Sequence, residues 1–320
     1  MLSYIRGDEN HIFTDQEDKT KNIEVTAMRT YIRELILPDE TQEWKFILAQ
    51  KKTCYNGIYP FKIFPQKELR RVEFEPLTVF YGGNGSGKTT LLNIITEKAG
   101  ISRKSVFSGG AFFEDYLDMC ELETREIPSE SQILTSDDVF DYLLNVRNLN
   151  NGIDVKRERI FEDLYARRKA VMLNPQQMQL KSLDQFDDWK ETADAMRKSS
   201  SAFVKDRVMG NVNMFSNGES ALRFFLDHIE ENAVYLLDEP ENSLSIALQM
   251  ELKEFLELSA RFANCQIILA THSPILLSMK GAFIYDLDSV PVETKPWTEL
   301  ENVRKYFDFF DSHRNEFLTE

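Results

Sequence analysis

Short apolar runs that end abruptly in polar or glycine-rich turns set the rhythm of the chain. Leu77-Thr78-Val79-Phe80, Ala233-Val234-Tyr235-Leu236-Leu237 and Ile267-Ile268-Leu269-Ala270 are almost free of polar residues. Strands buried on both faces of a parallel sheet read this way. Leu91, Leu92, Ile94 and Ile95 continue at helical spacing, as do Ala221, Leu222, Phe225, Leu226 and Ile229, and then Leu248, Leu252, Phe255 and Phe262. These stripes predict helices, the last over residues 245–262. Between residues 31 and 80 the pattern changes to aromatic and β-branched bursts cut by turn signals at Pro38-Asp39, Asn56-Gly57 and Pro65. Trp44-Lys45-Phe46-Ile47-Leu48 and Arg70-Arg71-Val72-Glu73-Phe74 are predicted there as strands. Ile284-Tyr285-Asp286-Leu287 predicts a last edge strand. Residues 297–317, rich in phenylalanine, predict a helix packed on the core or on a partner.

The segment before residue 216 is the hardest to read. Lys156, Arg157, Arg159, Arg167, Arg168 and Lys169 alternate with Glu158, Glu162 and Asp163, the mark of a solvated helix face. Asn174-Pro175 interrupts the pattern, so a compact helical lobe is expected and not a long heptad rod. Residues 1–28 are polar and aperiodic, with Asp8, Glu9, Asp15, Glu17 and Asp18 clustered. They predict a loosely ordered leader or a segment that docks elsewhere. The expected division is therefore 1–28 leader, 29–128 with 215–295 core, 129–214 helical lobe, and 296–320 C-terminal helix.

Composition narrows the function classes. A chain of 320 residues with 42% hydrophobic content can bury a sizeable core, as one large domain or two modest ones. Its formal charge of −15 argues against a surface that coats nucleic acid, because phosphate binding rests on lysine and arginine. A local basic patch stays open. Cys54, Cys120 and Cys265 lack metal-type spacing, which points to a reducing compartment without a zinc site. No apolar run approaches the ~20 residues of a membrane helix. The first residues lack a signal-peptide core. Together these predict a cytoplasmic protein with no membrane segment of its own.

Candidate chemistry sits where the apolar runs end. Gly82-Gly83-Asn84-Gly85-Ser86-Gly87-Lys88-Thr89-Thr90 joins a predicted strand to a predicted helix and fits G-x-x-x-x-G-K-[ST] in the context that pattern needs. Its glycines let backbone N–H groups turn onto phosphate oxygens at the positive end of the helix. Lys88 is suited to neutralise β/γ-phosphates, and the Thr89 hydroxyl to hold Mg²⁺. Ser216-Asn217-Gly218-Glu219 matches the capping box S-x-x-E, a second helix N-terminus suited to an anion. Asp238-Glu239 closes one buried strand, and Pro240 ends it so that neighbouring carboxylates can serve one site. His272 closes another.

Taken in order, these stretches resemble the ATP-binding-cassette (ABC) ATPase superfamily: Walker A, signature, Walker B with its glutamate, a D-loop at Asn242-Ser243-Leu244, and a switch histidine. Within it, the resemblance is to the chromosome-maintenance (SMC), RecF-like and OLD-like group, often described only as predicted AAA-family ATPases. The resemblance implies an α/β P-loop NTPase of the ABC ATPase type, a mixed sheet with an antiparallel β subdomain and an inserted helical lobe. It implies ATP and Mg²⁺ as cofactors, with Thr89, Asp238 and the Q-loop candidate Gln132 at the metal. Lys88, Glu239 and His272 become the hydrolytic residues, Glu239 polarising the water and His272 sensing the γ-phosphate. Residues 216–219 would face the nucleotide of a second copy in an ATP-dependent head-to-tail homodimer. One of Tyr55, Tyr59 or Phe61 is a candidate to stack on adenine, although each is more simply a core aromatic.

Three positions depart from the family pattern: Phe215 for leucine, Asn217 for glycine and Ser245 for aspartate. Asn217 tolerates unusual backbone angles. Glu219 resembles the chromosome-maintenance and repair branches, where transporters carry glutamine. The resemblance therefore favours a switch in DNA maintenance or phage defence, with an effector protein and DNA as candidate partners. An ATPase subunit of a membrane transporter and a nucleotide-gated scaffold with little turnover are the alternatives.

Overall fold

The computed structural model describes residues 30–51, 57–107, 109–178, 186–208 and 216–318. The expected leader, Cys54, Tyr55 and Phe215 fall outside the described residues. The first strand, β1 (Ile32–Ile36), lies between β2 (Arg71–Glu73) and β4 (Glu121–Thr124) in a three-stranded antiparallel sheet. The buried Gln266 amide ties this sheet to the rest. Its Oε1 accepts the N–H groups of Tyr31 and Ile32, each at 2.8 Å, and its Nε2 donates to Ile32 O at 2.7 Å. A polar side chain this deep is tolerated because its polar atoms find partners.

Residues 44–48 differ from expectation: they lie in a helix, α1 (Glu40–Ala49), not a strand. Asp39 and Gln42 form a capping box at its start, and Trp44 and Leu48 are exposed. The apolar residues that looked like a strand are spread around the helix, and the cap decides the outcome.

The central sheet begins with β3 (Leu77–Tyr81), followed by α2 (Lys88–Ala99) and α3 (Phe113–Met119). It gains β5 (Gln132–Thr135), then, after the helices α4 (Ser136–Leu173), α5 (Phe186–Arg197), α6 (Ser200–Lys205) and α7 (Asn217–His228), the strand β6 (Val234–Asp238). After α8 (Ile246–Phe262) come β7 (Gln266–Thr271), α9 (Pro274–Leu277), β8 (Phe283–Asp286) and β9 (Glu293–Thr294). The chain order in space is β5-β6-β7-β3-β8-β9, with every pairing parallel except β8 with β9. Thus β8 is not the edge; β9 covers it.

Alternate residues of each central strand enter different cores. Phe80, Val234, Leu236 and Ile268 pack on the side of α2 and α3. Val79, Tyr235, Leu237 and Leu269 pack on the side of α7, α8 and α9. This double burial explains the apolar runs in the sequence. The parallel register pairs Thr135 with Asp238, Asp238 with Ala270, and Tyr81 with both Thr271 and Asp286. The strands therefore finish along one rim, where ligands of parallel α/β sheets bind.

The 38-residue helix α4 spans about 57 Å at the usual rise per residue. It stops at Asn174, before Pro175, as the sequence suggests, but it is a far longer single rod than a compact lobe implies. Its charged face is solvated, while Leu164 meets Ala195 and Phe203 in a small core of its own. Arg168 reinforces the packing by donating to Ala195 O, Lys198 O and the Ser200 hydroxyl. At the C-terminal end the predicted single helix divides into α10 (Glu301–Ser312) and α11 (Arg314–Leu318). Leu300 and Val303 pack on the core, and Tyr306, Phe307, Phe309 and Phe310 are exposed. Among the described residues no helix is long and apolar enough to cross a membrane.

Candidate nucleotide site

The loop between β3 and α2 is shaped by backbone that side chains would obstruct. Gly87 caps α2 with φ +101°, and a Cβ there would lie 3.1 Å from Ile63 Cγ2 and 3.2 Å from Phe64 Cε1. Only glycine accepts both the left-handed angle and the crowding. Lys88, 5% exposed, folds back so that its Nζ donates to Gly82 O at 2.8 Å and Gly83 O at 3.0 Å. The buried Ser86 hydroxyl has no hydrogen-bond partner. The Gly83 N–H donates to Asp288, beyond β8, at 2.8 Å. A cleft of about 330 Å³ opens here, lined by Tyr59, Ile63, Ser86, Lys88, Thr89 and Glu239.

The end of β6 meets this loop. The Thr89 hydroxyl donates to Asp238 Oδ1 at 3.2 Å, and Lys88 Nζ lies 3.5 Å from Glu239 Oε1. Glu239 adopts φ +47°, a left-handed angle uncommon for a residue with a side chain. That turn, rather than Pro240, brings two adjacent carboxylates to one site when a continuing strand would send them to opposite faces. Burial pushes the Asp238 carboxyl up to about 6; the Thr89 hydrogen bond opposes this and the neighbouring Glu239 charge adds to it. A desolvated carboxylate beside a threonine hydroxyl suits a hard cation. The residues present therefore fit Mg²⁺ bound with a nucleotide, with Thr89 and Asp238 to hold it, and the ion would neutralise charge on phosphate oxygens.

His272 stands just past β7, half exposed, with Nδ1 3.3 Å from Glu241 Oε1 and 3.9 Å from Glu239 Oε1. Ser216 caps α7: its hydroxyl accepts from the Glu219 N–H at 3.2 Å, and Glu219 accepts from the Ser216 N–H at 2.8 Å. The Ser216 hydroxyl, and then its backbone N–H, hold the Glu219 carboxyl below its ordinary range. Ser216, Asn217 and Glu219 are exposed. Gly218 faces inward, where a Cβ would sit 2.8 Å from Leu248 Cδ1 and 3.2 Å from Ser243 O.

Residues 125–278 match the family model described as "AAA domain, putative AbiEii toxin, Type IV TA system". The match spans β5 to α9 and so includes Asp238, Glu239 and His272. The chain is an α/β protein with a mixed central sheet and a glycine-rich phosphate-loop sequence between β3 and α2. Solved structures similar to it include an Smc head domain of Pyrococcus furiosus bound to the C-terminal domain of ScpA, at 14% identity over 89% of this chain and 99% of that one, TM-score 0.39. A dimeric ATP-binding cassette bound to ADP and Pi aligns at 13% identity over 70% and 88%, TM-score 0.35. The cbiO1 component of a Clostridium perfringens ABC transporter aligns at 17% over 75% and 86%, TM-score 0.34. No curated protein matches the chain in sequence.

One expected residue is out of place. Gln132 does not reach the metal site. It opens β5 opposite Tyr235, three positions before the pairing of Thr135 with Asp238, and its Nε2 donates to His228 O at 2.9 Å. Three residues of strand put it about 10 Å from the rim. The residue that follows β5 at the rim is Ser136, whose hydroxyl donates to Asp238 O at 3.3 Å and accepts from Asn242 Nδ2 at 3.4 Å. Asn242 also donates to Glu239 Oε2 at 3.3 Å. Strand QILT ends at Thr135, so the residue at the rim is Ser136 and not the glutamine that opens the strand.

Tyr59 lines the cleft and its hydroxyl donates to Thr90 at 3.0 Å. Phe61 is buried, stacked on Phe46, and serves the core. Asp288, which the sequence analysis does not name, touches the glycine-rich loop from far along the chain by accepting the Gly83 N–H.

Proposed function

We propose that the protein binds ATP with Mg²⁺, hydrolyses it, and uses the cycle to close and open a head-to-tail pair of identical chains. The observation that carries this is the convergence at the rim: Thr89 on Asp238 and Lys88 beside Glu239, with His272 bordering the same carboxylate. These groups suit in-line phosphoryl transfer to water, with Lys88 on phosphate oxygens and Glu239 orienting the nucleophile. The exposed cap of α7 supports the second half of the reading. A finished helix N-terminus at the surface, with an exposed serine, is complementary to an anion presented by another molecule. Residues 216–219 then serve the nucleotide of the second copy and not their own.

What the cycle drives is an effector. The family description names a toxin–antitoxin system, and Glu219 and Glu241-Asn242-Ser243 are the residues that resemble the DNA-maintenance and OLD-like branches. The proposed setting is therefore cytoplasmic DNA maintenance or phage defence beside a separate effector protein, with DNA as a further ligand.

The test is Glu239→Gln. It should retain ATP, release phosphate at least about 100-fold more slowly than wild type, and run as a dimer by light scattering when ATP and Mg²⁺ are present. A monomer with ATP bound overturns the two-copy mechanism. Undiminished phosphate release overturns the role of Glu239.

A further inference from the structure

We propose that Glu241 is the positioning residue for His272, fixing which ring nitrogen faces the nucleotide. The proposal deepens the hydrolytic reading above and rests on it for the identity of what the ring faces. Glu241 follows Pro240 in the turn after β6, and its side chain is only 6% exposed. Oε1 alone accepts from the Thr271 hydroxyl at 2.6 Å and from the His272 N–H at 2.9 Å, and lies 3.3 Å from the His272 ring at Nδ1. Thr271 passes the constraint on by accepting the Ser273 N–H at 3.0 Å. The other oxygen, Oε2, is buried without a hydrogen-bond partner. A carboxylate so placed is costly to bury, and a neutral core residue would pack there without that cost. Its contacts explain its presence only through the segment 271–273.

The consequence for the ring is geometric. A carboxylate oxygen 3.3 Å from Nδ1 favours a hydrogen on that nitrogen, so the proposed form of the ring carries its hydrogen on Nδ1. Glu239 Oε1 lies farther from the same nitrogen, at 3.9 Å, and is shared with Lys88 Nζ at 3.5 Å. With Nδ1 committed inward, Nε2 is the ring atom left for the terminal phosphoryl group, on a ring that is half exposed. Without Glu241 both the tautomer and the rotation of the ring are released. Lone imidazoles favour the other tautomer only weakly, so one carboxylate is enough to decide it.

The experiment is ¹⁵N-histidine NMR on the nucleotide-free full chain, with His272→Ala to assign the signal. The Nδ1–H tautomer is expected for His272 in wild type, its loss in Glu241→Ala, and its retention in Glu241→Gln, whose amide oxygen still accepts. Glu241→Ala should also lower kcat by about 10- to 100-fold with KM little changed, and Glu241→Gln should recover part of that loss. An Nε2–H tautomer in wild type overturns the proposal, as does unchanged kcat in folded Glu241→Ala. If Glu241→Ala does not fold, the wild-type spectrum and the Glu241→Gln kinetics decide. A wild type that hydrolyses no ATP refutes the nucleotide reading, while the spectrum still decides the pairing.

Discussion

At the scale of single residues, the site holds charge and backbone in states that the fold alone would not choose. Asp238 is an acid whose carboxyl is raised by burial to about 6, so the folded state binds its proton more tightly than the unfolded chain does. Its contribution to stability is therefore present below pH ~4 and lost as pH rises through 6. Asp238→Asn should remove that loss and make the nucleotide-free protein more heat-stable at pH 7.5 by on the order of 1–3 kcal/mol, seen as a Tm several degrees higher. The same variant should lose the stabilisation that ATP and Mg²⁺ confer on wild type. Glu239 carries a different cost, its left-handed φ of +47°. Glu239→Gly should be more stable than Glu239→Ala by about 1 kcal/mol in denaturant titration, with both inactive. A reader of the sequence sees Asp238-Glu239-Pro240 and credits the proline with the turn, because φ is not written in residue names.

At the scale of elements, the sequence is most legible where one element is buried on all sides. The runs at Val79-Phe80, Leu236-Leu237 and Ile268-Leu269 identify β3, β6 and β7 because both faces of each are core. It is least legible where stability comes from capping and ion pairs. Residues 44–48 read as strand, yet Asp39 and Gln42 start a helix. Helix α4 has no continuous apolar stripe to announce its length; Arg167 is instead held by Asp163, Asp188 and Glu191, two of them on α5. Gln132 opens β5 and so lies at the opposite end of the strand from the rim, a placement its residue type does not encode. The close approach of α7 to the turn at Ser243 is likewise invisible in sequence, although glycine at 218 hints at it. Gly218→Ala should push the start of α7 away from Ser243 O and Leu248. We expect ATP binding within about 2-fold of wild type by equilibrium dialysis, but hydrolysis reduced by about 10-fold or more, the loss expected when a catalytic group is displaced by a fraction of an ångström to an ångström.

At the scale of the whole molecule, charge opposes the proposed nucleotide-driven pairing. Each chain carries a formal −15, so two copies repel one another at long range, and salt relieves that repulsion. For Glu239→Gln in saturating ATP, the dimer should form faster at 200 mM than at 50 mM salt, measured by stopped-flow light scattering. Stimulation of the ATPase by DNA should run the other way and weaken with salt, because that contact depends on releasing counterions. The opposite signs let one titration separate the two associations.

The capping box on α7 closes entirely within one chain: the Ser216 oxygen already satisfies the Glu219 N–H, and Glu219 already satisfies Ser216. In the proposed pairing α7 therefore meets the second copy already helical, with no coil-to-helix step at residues 216–219 to slow recognition. Assembly kinetics should then follow collision frequency and solvent viscosity instead of the temperature signature of refolding.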